Sequence, residues 1–150
     1  MNIPETTNEN YLTGTSALNV PTEDCSSFGD WHFTETFLTP GTRFRIAGQN
    51  YPSTSHIFGN YGIRECSTIL REYGAYIEPN KKVYVANYVR AILDLVYNIT
   101  KEHQSADFLK LDDYFEEQEK SEVFHKINSI KSQVTDLIQL NLLNQWEYQQ

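Results

Sequence analysis

Residues 83–97, Val83-Tyr84-Val85-Ala86-Asn87-Tyr88-Val89-Arg90-Ala91-Ile92-Leu93-Asp94-Leu95-Val96-Tyr97, form the most apolar window of the chain. Val85, Val89, Ile92, Leu93, Val96 and Tyr97 recur at helical spacing, so the stretch reads as an amphipathic helix at the centre of the core. It is interrupted by three polar side chains and is shorter than the roughly 20 apolar residues that a membrane span needs. Arg90 and Asp94 stand four apart and Asn87 three before Arg90, which puts all of them on nearly one stripe. Polar groups so close to a buried face need partners. An internal network with Glu65 or with loop carbonyls is favoured over a bound ligand, because buried polar groups are mostly satisfied within their own domain.

Outward toward the C-terminus, Glu78-Pro79-Asn80-Lys81-Lys82 reads as a turn, and Leu109, Leu111, Tyr114 and Phe115 as a short amphipathic turn in an acidic stretch. Val123, Phe124, Ile127 and Ile130 predict another helix, and Val134, Leu137, Ile138, Leu142 and Trp146 the last one. In the other direction, Ile63, Cys66, Ile69, Leu70 and Tyr73 predict a helix over residues 63–73, opened by Ile57-Phe58-Gly59-Asn60-Tyr61-Gly62 and closed by Gly74. Trp31, Phe33, Glu35 and Phe37 alternate with His32, Thr34 and Thr36 as a strand does. Thr39-Pro40-Gly41-Thr42 supplies a turn, and Phe44, Arg45 and Ile46 a return strand. Residues 11–20 read as a short strand or ordered loop, and residues 1–10 as a flexible tail. The expected architecture is α+β: one domain over residues 11–150, with an N-terminal β-hairpin packed on a bundle of about four helices.

The chain has 150 residues, 39% hydrophobic and 13% aromatic, which suffices for one substantial core. Its net charge of −8 argues against nucleic-acid binding, which needs clustered Lys and Arg, and points to a protein partner with a basic surface. From Lys101 onward ten Asp and Glu stand against five Lys, so the acidic face belongs to the C-terminal helices. The first residues lack the basic start and apolar run of a secretory signal, so a cytoplasmic location is expected. Cys25 and Cys66 then read as reduced thiols, and Asn98-Ile99-Thr100 as a chance glycosylation match. No metal-ligand spacing or cofactor motif occurs, and neither group is expected.

Beyond the central stripe, three clusters merit weighing. Glycines and Arg64 at residues 59–64, with Asn60 and His56 nearby, could draw an anion to a helix start, with Arg90 adding charge. Without a phosphate-loop signature, a plain tight turn is favoured. Asp30 and His32 share a strand face, the raw material of acid–base chemistry, while Glu35 points the other way, so a structural pair is favoured and no catalytic residue is assigned. Asp112, Asp113, Glu116, Glu117, Glu119 and Glu122 form the one strong charge cluster, interleaved with Leu111, Tyr114 and Phe115. It reads equally as a solvated face and as a surface that steers a basic partner, with the acids and exposed Tyr114 and Phe115 forming the contact. The alternative to a partner-binding module is a small-molecule or nucleotide-binding domain, possibly an enzyme, using Asn60, Arg64, Asn87 and Arg90 with Asp30 and His32 nearby. A DNA-binding autoregulator is disfavoured by charge, since Lys81, Lys82 and the few arginines would have to form one face.

Four segments carry a family resemblance: Leu12-Thr13-Gly14-Thr15-Ser16-Ala17-Leu18-Asn19, Gly29-Asp30-Trp31-His32-Phe33, Ile57-Phe58-Gly59-Asn60-Tyr61-Gly62-Ile63-Arg64-Glu65-Cys66 and Leu111-Asp112-Asp113-Tyr114-Phe115. Together they resemble small uncharacterised bacterial proteins encoded beside nucleotidyltransferase toxins of the abortive-infection class, over residues 11–146. The resemblance implies a cytoplasmic antitoxin or accessory protein that masks or regulates a transferase. It attaches no chemistry to any single residue.

Overall fold

The computed structural model describes residues 3–21, 34–39 and 41–150, except for the side chains of Thr34 and Glu35. Its axis is the helix α4, Tyr88–Lys101, in which only Ile99 and Lys101 escape burial. The helix starts where the Asn87 side chain accepts the Arg90 backbone N–H at 2.8 Å. It ends with His103 in the left-handed region, φ 60°, and with the Gln104 N–H donated back to the Ile99 carbonyl. Three other helices pack on this axis: α1, Gly14–Leu18; α5, Glu117–Ile130; and α6, Leu137–Tyr148. Two further short helices, α2 (Ser55–Phe58) and α3 (Ser67–Glu72), lie between α1 and α4 in sequence.

The sheet is small and precedes α4 directly. Strand β1, Ile63–Glu65, runs antiparallel to β2, Tyr84–Ala86, with Arg64 opposite Val85. Leu12 bridges β2 at Val85 and also pairs with Ile46, so the chain at residues 11–13 is wedged between β2 and residues 45–47. The buried apolar side chains form one cluster that runs from Ile3 to Trp146.

The α+β character holds, but among the described residues the sheet's strands are Ile63–Glu65 and Tyr84–Ala86 rather than those of the N-terminal hairpin expected from the aromatic alternation. Residues 30–33 and Pro40 of the expected hairpin lie outside the described residues. Thr34–Leu38 is a π-helical turn, and Ile46 makes a single bridge. Phe37 and Phe44 do meet, with ring centroids 5.5 Å apart. Side-chain contact across the turn is therefore present without a strand ladder among the described residues. Residues 14–18 form a helix where a strand or loop was expected. Residues 3–10, expected as a loose tail, are docked: Ile3 is 3% exposed and its N–H binds the Tyr76 carbonyl at 3.1 Å. Thr6 exchanges hydrogen bonds with the Tyr84 backbone through its hydroxyl.

The helix expected over residues 63–73 begins only at Ser67. Gly62 explains the difference. With φ 75° it turns the chain so that its carbonyl accepts the Asn87 N–H at 2.7 Å, which aligns residues 63–65 with β2. Cys66 continues the ladder by donating its N–H to the Val83 carbonyl, and Glu65 Oε2 then takes the Ser67 N–H at 2.9 Å.

A Cβ at Gly62 would lie 2.6 Å from Asn87 Oδ1 and 2.8 Å from the Arg90 Cβ, whereas one at Gly74 meets nothing within 4 Å. Gly74→Ala is expected to cost about 1–2 kcal/mol from left-handed backbone alone. Gly62→Ala should cost at least about 3 kcal/mol, because strain and overlap add there. Denaturant unfolding of the two variants checks the difference.

Candidate functional site

Arg90 and Asp94 are 0% and 1% exposed, and Arg90 Nε donates to Asp94 Oδ1 at 2.9 Å. Taking such a pair out of water costs several kcal/mol per ion unless every remaining donor and acceptor is met. Here they are. Nη1 of Arg90 donates to the Gly59 and Tyr61 carbonyls at 2.8 and 2.7 Å, and Nη2 to the Tyr11 and Thr54 hydroxyls at 2.8 and 3.0 Å. All the guanidinium N–H groups are thus used. Asp94 Oδ1 also accepts from the Thr54 hydroxyl at 2.6 Å, while Oδ2 accepts from Tyr11 at 2.8 Å and Thr13 at 2.7 Å. The guanidinium lies 5.2 Å from the Tyr11 ring centroid and 5.5 Å from that of Phe58.

This network is closed on itself. Asn87 holds the helix start, and Glu65, expected as a partner, is engaged at Ser67 instead. Two of the loop carbonyls expected as partners are those of Gly59 and Tyr61. Sequence reasoning missed Tyr11, Thr13 and Thr54: single hydroxyls carry no spacing signal, and they reach Asp94 from 83, 81 and 40 residues away.

The other expected site residues do not gather around Arg90. Asn60 is exposed in the turn after α2, and His56 is exposed with its ring 6.1 Å from that of Tyr97. Gly59 closes a helix rather than opening one, so residues 59–64 have no row of free helical N–H groups. Arg64 lies on β1, and Asp30 and His32 are outside the described residues. Arg64 lines a separate cavity of about 230 Å³ with Glu65, Cys66 and Thr68. Among the described residues, Arg64 Nε and Glu119 Oε2 are the buried side-chain polar atoms without a hydrogen-bond partner.

The acidic segment is more structured than a run of free charges. Leu111–Asp113 is a 3-10 turn, after which Glu117 opens α5. Lys120 donates to Asp112 at 2.6 Å and to Glu117 at 3.2 Å, and both bonds raise the lysine pKa. Glu122 accepts the Tyr61 hydroxyl. Asp113 and Glu116 are exposed, Tyr114 and Glu119 are half-buried, and Phe115, expected at the surface, is buried in the core cluster. The last turn of α6 abuts this segment, since Gln150 Oε1 accepts the Leu111 N–H at 2.9 Å. That turn carries Tyr148, 92% exposed, a surface aromatic that the sequence pattern did not single out.

No group of three or more His, Cys, Asp or Glu is disposed to hold a metal among the described residues, and no helix there is long and apolar enough to cross a membrane. Comparison with protein families, curated proteins and solved structures finds no match to this chain.

Removing one partner of a buried ion pair leaves the other uncompensated, so Arg90→Met should destabilise by about 3–5 kcal/mol. Arg90→Met combined with Asp94→Leu should recover part of that loss, as chemical denaturation of both variants will test. Burial pushes the Tyr11 phenol above its ordinary value, Asp94 adds to the effect, and Arg90 opposes it. A raised folded-state pKa means stability that is complete below the unfolded value of about 10 and is lost as pH rises beyond it. Tyr11→Phe should lower stability at neutral pH by about 1–3 kcal/mol, by orphaning one donor and one acceptor. It should also flatten the alkaline decline, as unfolding measured at several pH values checks.

Proposed function

We propose that this chain is a non-enzymatic protein-interaction module that engages a basic partner through the acidic segment before α5 and the C-terminal end of α6. The observation that carries this reading is the meeting of exposed acids with an uncovered aromatic side chain. Asp113 and Glu116 are exposed in the segment whose Leu111 N–H binds Gln150 Oε1, two residues beyond the 92% exposed Tyr148. Acids of this kind speed encounter with a basic surface and fix its orientation, while aromatic anchors supply the buried contact area. The closed network around Arg90 supports the same reading from the other side, since it offers no free donor to a ligand.

The resemblance to proteins encoded beside abortive-infection nucleotidyltransferases names the partner to try first. In that setting the chain is an antitoxin or accessory protein that restrains a transferase by covering its nucleotide-transfer site. The acids would then meet the basic groups that otherwise hold phosphates. Phe115 is removed from the expected contact by its burial, and Tyr148 takes its place.

The test is affinity capture of the intact chain from its host at moderate salt, followed by kinetics with the recovered transferase. Asp113→Lys with Glu116→Lys should slow association about tenfold at low salt with little effect on dissociation. Tyr148→Ala should speed dissociation. Unchanged rates in both variants would remove this surface from the account.

A second reading, small-anion binding, is favoured by the orphaned Arg64 Nε beside its cavity. Inorganic phosphate should then raise the melting temperature, because a ligand of the folded form alone stabilises it. Arg64→Gln should abolish the rise, and a retained rise would clear Arg64 of the role.

A further inference from the structure

A second cavity, of about 430 Å³, opens between the C-terminal half of α4 and the loops around residues 45–52 and 104–108. Its size falls in the range of about 300–1,000 Å³ typical of small-ligand sites. The lining is mainly apolar, from Pro52, Ile99, Phe108 and the ring of Tyr51, with a few polar groups set into it. Phe108 is 69% exposed, so a large aromatic side chain stands at this cavity with its surface in water.

Arg45 is the best positioned of the polar groups. Its stem crosses Gly14, where an added Cβ would lie 3.0 Å from Arg45 Cδ, and Gly14 has φ 56°. Its backbone N–H is fixed by the Ser16 hydroxyl at 2.9 Å, and its guanidinium lies 5.0 Å from the Tyr51 ring centroid. Among the described residues no carboxylate lies within ion-pair distance of it, in a protein whose net charge is −8. Glu102, on the same lining, likewise has no cation within that distance among the described residues. Asn98, buried, keeps its amide in the wall by donating to the Pro52 carbonyl at 3.1 Å.

An ordered guanidinium and an unpaired carboxylate lining one apolar cavity complement a ligand that carries both charges on an apolar body. We propose that this cavity binds a small zwitterion with an apolar side chain, of the aromatic α-amino-acid type. Arg45 takes its carboxylate, Glu102 its ammonium, and Ile99, Pro52 and Phe108 cover its side chain. The site is separate from the acidic surface around Asp113 and Glu116 and stands or falls independently of it.

The test is an amide-resolved NMR titration of the full chain at fixed pH and salt with three probes: L-phenylalanine, 3-phenylpropionate and 2-phenylethylamine. Saturable shifts confined to residues 45–52 and 98–108 are expected, with L-phenylalanine binding at least several-fold more tightly than either singly charged probe. Arg45→Gln should erase its advantage over 2-phenylethylamine, and Glu102→Gln its advantage over 3-phenylpropionate. Phe108→Ala, at an exposed position that does not support the core, should weaken L-phenylalanine several-fold. Absence of saturable shifts with all three probes overturns the proposal. So does an advantage of L-phenylalanine that survives both charge-removing variants.

Discussion

The fold depends on how the charge of Arg90 is accommodated inside it. A buried guanidinium and carboxylate attract each other strongly, yet that attraction alone does not offset their loss of hydration. What makes the pair tolerable is that residues 11–13, Thr54 and the carbonyls of residues 59–61 converge on it. The same convergence fixes the architecture. Residues 11–13 sit between β2 and residues 45–47, residues 59–61 lead through Gly62 into β1, and α4 carries both charges. One network therefore joins the helical core to the sheet and the N-terminal segment. The sheet alone, three residues per strand, is too short to organise the chain.

This has a consequence for function. Polar residues at a turn with glycines, next to a helix with an arginine, have the composition of an anion pocket, but the donors are spent on the protein itself. On the proposed readings, recognition falls to exposed or cavity-lining charged groups that have no ion-pair partner among the described residues. These are Asp113 and Glu116 near Tyr148, Arg64 with its orphaned Nε, and Arg45 with Glu102 around the larger cavity. Each lies away from the buried pair, so a substitution there probes recognition with little risk to the fold.

Helical periodicity identified α4 as the central element, because the helix is buried on most sides and its apolar residues recur over several turns. It also favoured an internal role for Arg90, since the residue falls on a stripe next to the core. The same kind of signal failed over residues 63–66, where a span of barely one helical turn cannot distinguish a strand from the first turn of the helix that follows. The decision there belongs to Gly62, through a positive φ and a bond to Asn87 that no local pattern encodes. Alternation misled at Phe37 and Phe44 for a related reason: stacking of two rings needs only proximity across a turn. The hydroxyls that complete the network were invisible because their contacts reach across 40 to 83 residues of sequence. Burial of Phe115 was likewise a matter of how the 3-10 turn at Leu111–Asp113 aims the chain, and this the run of acids conceals.

The most direct test of the account is the exchange behaviour of the Arg90 side chain, followed by NMR of its Nε–H in the free protein at neutral pH. A network closed on itself predicts a resolved, slowly exchanging signal that does not move when phosphate or nucleotides are added. A signal lost to rapid exchange with water, or one that shifts on adding either compound, would contradict the account and return Arg90 to the list of ligand-binding groups.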